Sequence, residues 1–483
     1  MTSLSEVFSA RVLTALLLVA ALAGCGGPEL MPWHEEVLEE EFSTDKLGEI
    51  NSLTAYLELE QRLFQEMDER IYAEQPAGPE SQLNRYARGS LADPDSGEVN
   101  WNRSFVLAPA DPVGGILLLH GMSDSPYSLR ALAEEFRARD YTVVGLRMPG
   151  HGTLPSGLLH VTWQDMAAVT ALGMHYLAQH SPANNLHIIG YSTGSALALD
   201  YALKVDAEPT LARPASLVLL SPAIGLSPAA ALAKWSRRLS YLPGLGGLAW
   251  LGVDPEFDPY KYNSFTTNAA EQVHALTRSV AQRIARRGKN AAPLPPMLVA
   301  KSTVDATVSN DAVVDKLLLK VNPNRHEMLL FDINRVGTNN LLLRHDPGPF
   351  TRDMLDRADL PFYLTLVVNK DRNSRSIQTL HKAPNSGIAV AGPPLHARWP
   401  AGVFSLSHVA IPFPPDDPLY GAQRVDNKSL FLGTQSIQGE RNVLRISADY
   451  LLRLRHNPFY DYLERRVLAW VEDPTSRAAA VSP

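Results

Sequence analysis

From about Arg103 onward, short unbroken apolar runs alternate with helical stretches, and this alternation constrains the fold more than any other feature of the chain. Ile116–Leu119, Thr142–Leu146, Leu186–Ile189, Leu217–Leu220 and Met297–Ala300 have the character of strands. Leu129–Phe136, Trp163–His180 and Ala196–Leu203 have the character of helices between them. A strand that is apolar at every position must be covered on both faces, which parallel strands achieve because each crossover returns a helix to the sheet. The expectation is an α/β fold with a mostly parallel central sheet and helices on both faces.

More than 70 residues, rich in Ala, Leu, Trp and Gly, separate Ser221 from Met297, and they include the basic helical stretch Ala270–Arg287. A structureless loop of that length does not suit a compact domain, so residues 227–292 are expected to be an inserted helical cap. The core then comprises residues 101–226 and 293–483, the second part carrying an insertion at about 335–400. Glu327–Asp332 and Tyr363–Asn369 are strand-like, and Pro458–Val471 reads as a closing helix. Upstream, apolar residues recur at helical spacing from Leu47 to Tyr72, marking 46–100 as an N-terminal helical extension that packs on the body.

The first 24 residues differ from the rest. Arg11 precedes an apolar run from Val12 to Leu22, which ends in Leu22-Ala23-Gly24-Cys25. The run is shorter than the ~20 residues of a comfortable membrane span. It resembles a bacterial lipoprotein signal. The resemblance implies removal of residues 1–24, lipidation of Cys25, and a lipid-anchored place in the cell envelope, at the outer membrane or periplasmic face. An uncleaved helical anchor is the alternative. Residues 25–45, led by Gly and Pro and then acidic, read as a tether.

Cys25 is the sole cysteine, so no disulfide, thiolate metal site or cysteine nucleophile is expected. A formal net charge of −7 gives no electrostatic reason to expect nucleic acid as a partner. No His and acid cluster stands at metal-ligand spacing, and no cofactor is expected. The oligomeric state is left open.

Three motifs carry chemistry. Gly190-Tyr191-Ser192-Thr193-Gly194 directly follows one strand-like run and directly precedes a helical one. Such a strand–turn–helix setting strains the serine backbone and exposes its hydroxyl near the positive end of a helix, where developing negative charge is favoured. His120-Gly121-Met122 ends an earlier strand, and Arg147-Met148-Pro149-Gly150-His151-Gly152 follows the next. In that succession these motifs resemble the monoglyceride-lipase-like branch of the α/β hydrolases, which includes serine aminopeptidase-type members. The resemblance covers approximately Arg103 to Asp305 and the region of His408.

It implies the α/β-hydrolase fold and a Ser-His-Asp triad with Ser192 as nucleophile. The oxyanion hole would then be the backbone amides of Met122 and Thr193, with His120 and His151 ordering loops. The acid is expected past the next-to-last core strand, where Asp305 follows Met297–Ala300; Asp311 and Asp315 are weaker candidates in a helical stretch. Ser302 stands where this family commonly has glycine. The base must follow Asp305 in the chain. His408, before the Pro-rich run Ile411–Pro415, is favoured, with His345 next; His326, His381, His396 and His456 are less well placed.

The combination implies acyl transfer to water. Hydrolysis of carboxylic esters, lipid-like or short-chained, is the first reading, with Trp235, Leu239, Tyr241, Leu242, Leu245, Leu248, Trp250 and Leu251 available to line an acyl pocket. A peptidase is the runner-up, with Glu256 or Asp258 to hold a substrate ammonium. A non-catalytic envelope lipoprotein is the third.

Overall fold

The computed structural model describes residues 29–75, 78–225, 246–287, 292–305, 307–336, 343, 346–426, 428–433 and 453–473. The expected signal segment, Cys25, His345, and Trp235, Leu239, Tyr241, Leu242 and Leu245 of the expected cap lie outside these residues.

The strands of the central sheet are β1 (Phe105–Leu107), β2 (Gly114–Leu119), β3 (Tyr141–Leu146), β4 (Leu186–Tyr191) and β5 (Ser216–Leu220) in the first part of the chain. A separate two-stranded ladder pairs β6 (Trp250–Gly252) with β7 (Phe265–Thr266). The central sheet continues with β8 (Met297–Ser302), β9 (Glu327–Phe331), β10 (Tyr363–Asp371), β11 (Ser374–Lys382) and β12 (Ala389–Arg398). Its order is β1-β3-β2-β4-β5-β8-β9-β10-β11-β12. Pairing is parallel from β3 through β10, while β1 at one edge and β11 and β12 at the other are antiparallel. This is the α/β-hydrolase fold.

Pleating sends alternate residues of each apolar run to opposite faces. Leu117, Leu119, Ile188, Leu217, Leu219 and Val299 share one core with the helices Trp163–His180, Thr193–Lys204 and Thr267–Arg286. Ile116, Leu118, Ile189, Val218, Leu298 and Ala300 share the other with Arg130–Arg137 and Tyr460–Glu472. Full burial of each aliphatic side chain is worth about 1.5–3 kcal/mol, so these runs must be strands with two covered faces.

Two segments differ from expectation. Residues 29–45 do not behave as a tether: Trp33, Leu38 and Phe42 are buried, and Trp33 stacks on Tyr86 at 4.9 Å. The physical reason is a buried cation. The Arg147 guanidinium has no solvent exposure and is bound by Glu41 at 3.0 Å and by Glu60 at 3.1 Å. Glu60 belongs to the helix Leu53–Arg70, whose first turn is capped by the Ser52 hydroxyl accepting from the Ala55 amide. Segment and helix thus neutralise a charge at the end of β3.

The described part of the expected cap also behaves differently. Thr267–Arg286 sends Ala269, Val273, Leu276, Val280 and Ile284 into the main core and forms a layer of the sandwich. Trp250 packs edge-on against His34 at 5.0 Å, and Leu251 is exposed.

The insertion after β9 contains the helix Gly348–Asp356 and the strands β10 to β12. Its two ends meet. The Asn334 amide donates to the Phe404 carbonyl at 2.7 Å, and the Asn334 side chain donates to the Val403 carbonyl at 3.0 Å. The residues after 404 therefore resume beside the end of β9, as though the inserted strands were absent.

Candidate active site

Ser192 lies between β4 and the helix Thr193–Lys204, with φ 52° and ψ −112°. No ordinary strand or helix residue adopts that conformation, and the surrounding packing has to hold it. The flanking glycines make the turn possible. A Cβ on Gly190 would come within 2.5 Å of the Gly194 carbonyl, and one on Gly194 within 2.0 Å of the Leu119 carbonyl oxygen. The Ser192 amide donates to the Leu220 carbonyl at 2.9 Å, and the Ser192 carbonyl accepts from Ala223 at 3.1 Å. Both flanks of the serine are pinned.

His408 begins a short 3-10 turn, anchored by Leu406, Ala410 and Ile411 in the second core. Its Nε2 lies 3.2 Å from the Ser192 hydroxyl oxygen and its Nδ1 lies 2.9 Å from Asp305 Oδ2. Asp305 is buried, and its Oδ1 accepts the amides of Thr307 at 2.9 Å and Val308 at 3.0 Å. Burial on its own pushes the Asp305 carboxyl up. The His408 hydrogen bond and charge, the nearby Lys301 and the Val308 amide outweigh it and hold the group well below the usual carboxylate range. An ionised Asp305 fixes the proton on Nδ1, which leaves Nε2 free to accept from the serine hydroxyl.

The structure thus brings Ser192, Asp305 and His408 into one hydrogen-bonded line. Asp311 and Asp315 are exposed in the helical segments Asn310–Val313 and Val314–Leu318 beyond it. His326 accepts the Met297 amide at the opposite end of the sheet, and His381 contacts Thr365 and Thr379 within the inserted strands. Ser302, in the place of the family's glycine, accepts the Val304 amide at 3.3 Å and closes the turn into Asp305.

Gly121 brings the loop after β2 against the serine; a Cβ there would lie 3.2 Å from the Ser192 Cβ. Among the described residues neither the Met122 nor the Thr193 amide has a hydrogen-bond acceptor. Thr193 opens its helix, where the peptide dipoles favour negative charge. His120 Nε2 accepts the Met148 amide at 3.0 Å, so its Nδ1 carries the proton and donates to the Gly121 carbonyl at 2.8 Å. His151 donates from Nδ1 to the Pro149 carbonyl at 2.9 Å, and its Nε2 lies 3.2 Å from the Met122 sulfur. Burial lowers the His151 pKa to about 4, so it is neutral at physiological pH.

Glu256 and Asp258 are not free to hold a substrate ammonium. Both are buried. Glu256 accepts the amides of Asn263 and Ser264, and Asp258 takes the Tyr420 hydroxyl at 2.5 Å and Arg455 at 3.4 Å. Among the described residues no group of three or more His, Cys, Asp or Glu could hold a metal ion. Lys301 also belongs to the site, and its signal in the sequence is a cation inside an apolar strand four positions before Asp305.

The parallel sheet, the elbow at Ser192 and the histidine and carboxylate behind it have the arrangement of the α/β-hydrolase fold. Comparison with known proteins gives the following similarities. Residues 110–318 match the model of the family described as serine aminopeptidase, S33. A thermostable monoacylglycerol lipase of Bacillus sp. (strain H-257) is 35% identical over 85 residues, which are 18% of this chain and 33% of that protein. The chain thus spans about a third of the length of that curated relative. Among solved structures, a metagenome-derived lipolytic enzyme from a study of LipS and LipT matches over 48% of this chain and 88% of its own, with 22% identity and a TM-score of 0.39. The monoacylglycerol lipase of Paleococcus ferrophilus matches over 52% and 95%, with 18% identity and a TM-score of 0.36. The matched stretch holds Ser192 and Asp305, while His408 lies beyond it.

Proposed function

We propose that this protein is a serine hydrolase that cleaves carboxylic esters through an acyl-enzyme on Ser192. The observation that carries the reading is the line from Asp305 through His408 to the Ser192 hydroxyl, with contacts of 2.9 and 3.2 Å. His408 Nε2 takes the hydroxyl proton as Ser192 Oγ attacks the ester carbonyl carbon. The oxygen that becomes anionic is received by the Met122 and Thr193 amides, each such donor being worth ~10²–10³ in rate. His408 then protonates the leaving alcohol. Water, deprotonated by the same imidazole, resolves the acyl-enzyme.

Esters are preferred over peptides because Glu256 and Asp258 are already committed within the protein. The likeness to a monoacylglycerol lipase supports the same choice and favours a lipid-like acyl group. Beside His408, Val409, Phe413 and Tyr420 offer an apolar wall for the organic part of the substrate. The Leu22-Ala23-Gly24-Cys25 sequence supports a lipid anchor at Cys25, which would hold the enzyme at a bacterial envelope membrane, close to such substrates. Protein lacking residues 1–25 should hydrolyse p-nitrophenyl esters of graded acyl length faster than amino-acid anilides, and Ser192→Ala should abolish both activities. Faster turnover of the anilides would reverse the assignment in favour of a peptidase.

A further inference from the structure

Lys301 stands in β8 on the same face as Met297 and Val299, a row otherwise given to the main apolar core. Its side chain has no solvent exposure. An ammonium so placed pays a large desolvation cost unless it is paired and hydrogen-bonded. It has two acceptors here, each at 3.0 Å: the Val308 carbonyl and Asp305 Oδ2. Oδ2 is also the oxygen that His408 Nδ1 reaches at 2.9 Å. One carboxylate oxygen therefore joins the buried lysine to the imidazole.

The geometry points to Lys301 as a positioning residue of the catalytic line: it holds the Asp305 carboxylate toward His408 and places a fixed positive charge behind it, so that His408 works as a base at lower pH than Asp305 alone would allow. The inference rests on the hydrolase reading above. Two contacts of 3.0 and 2.9 Å through a shared oxygen put the ammonium within about 6 Å of the imidazole. Unit charges at that separation, with an effective dielectric of about 20, move a protonation midpoint by about one to two units. Burial lowers the proton affinity of Lys301 and Asp305 restores part of it.

Other groups near His408 do not distinguish the variants below. Tyr191, with its ring 5.5 Å from the imidazole, has a hydroxyl pushed well above its ordinary range by burial and stays neutral. Lys261, Arg453 and Arg455 line the hollow beside Val409. Asp124 faces Lys261 at 3.7 Å, and Asp258 faces Arg455. All of these are common to wild type and variants. Among the described residues Asp305 is the charged group that contacts Lys301.

The test is the pH profile of kcat/KM for an activated ester with wild type, Lys301→Gln and Lys301→Met. Gln keeps a donor and loses the charge, whereas Met loses both. The acidic limb should move up by about one to two pH units in both variants, and Gln should keep its plateau within about tenfold of wild type. A limb that stays in place in a folded, active variant overturns the inference. If wild type turns over no ester, histidine-selective NMR of wild type and Lys301→Gln reads the same difference, with the His408 signal assigned by its loss in His408→Ala; a signal that titrates at the same pH in both overturns the inference. If neither variant folds, Lys301→Arg, which keeps the charge, should leave the acidic limb in place, and a limb that moves in it overturns the inference. Failure of the hydrolase reading would appear separately, as wild type without esterase activity.

Discussion

Replacing Arg147 with methionine tests how far the N-terminal segment belongs to the body of the fold. The change keeps most of the aliphatic volume and removes the charge. It strands Glu60, whose side chain is 4% exposed, and Glu41, at 19%, without their shared cation. It also removes the donor at 3.0 Å from the His151 carbonyl, in the loop that reaches Met122. Breaking a buried ion pair from one side costs about 3–5 kcal/mol, much of it the penalty of the charges left behind. With roughly 2–4 °C lost per kcal/mol in domains of a few hundred residues, the melting midpoint should fall by about 6–20 °C. Arg147→Lys keeps the charge without the two-pronged geometry and should fall between wild type and Arg147→Met. Thermal melts of the three proteins by circular dichroism at neutral pH provide the comparison. A methionine variant melting within about 2 °C of wild type would refute the reasoning, because the cluster would then contribute nothing to stability.

The site makes three further predictions. Gly194→Ala puts a methyl carbon 2.0 Å from the Leu119 carbonyl oxygen, so it should cost roughly 1–3 kcal/mol or more in denaturant titrations and remove ester turnover. Asp305→Asn should lower the kcat of folded protein by ~10³–10⁴, since the amide cannot hold the His408 proton on Nδ1 or balance the imidazolium, and should also cost stability, on the order of 3–5 kcal/mol, by leaving the buried Lys301 ammonium without its counter-charge. Burial raises the Glu256 carboxyl from 4.5 to about 7, with Arg85 and two backbone amides opposing it. Because the folded value lies above the unfolded one, its contribution is present below about pH 4.5 and is lost as the pH rises through about 7. Urea titrations at pH 5 and pH 8 should therefore show Glu256→Gln losing less stability than wild type over that interval, by an amount on the order of 2–3 kcal/mol.

The strained serine turn was legible because it tolerates few sequences. With backbone within 2.5 Å of a Cβ at Gly190 and at Gly194, only glycine fits, and that requirement is written in the motif itself. The strands were legible for the same kind of reason: two covered faces demand unbroken apolar runs. The position of the histidine was harder to read, because it depends on where an insertion ends. Nothing local marks Asn334 and Phe404 as neighbours, and only their pairing removes the intervening strands from the count between Asp305 and His408. The pairing of β11 with β12 was missed because the outer strand is largely exposed and its alternation is broken by Gly392, Pro393 and Pro394.

The helix Thr267–Arg286 reads from sequence as part of a cap because an amphipathic basic helix has the same pattern whether it covers a site or the sheet. Residues 25–45 read as a tether because they are led by Gly and Pro and then acidic, a composition that does not distinguish solvated charge from buried partners. One of them, Glu41, is the partner of Arg147, a relation that sequence spacing does not encode. Lys301 could have been noticed as a cation in an apolar run, but its meaning needed the shared Asp305 oxygen.

Covalent labelling tests the central claim most directly. Wild-type protein treated with a fluorophosphonate and digested for mass spectrometry should carry one adduct, on the Ser192 hydroxyl, and should lose ester turnover in proportion to it. Labelling should be slowed strongly in His408→Ala and absent in Ser192→Ala. Folded wild-type protein that stays unmodified, or that is modified at another residue while Ser192 remains free, would contradict the account.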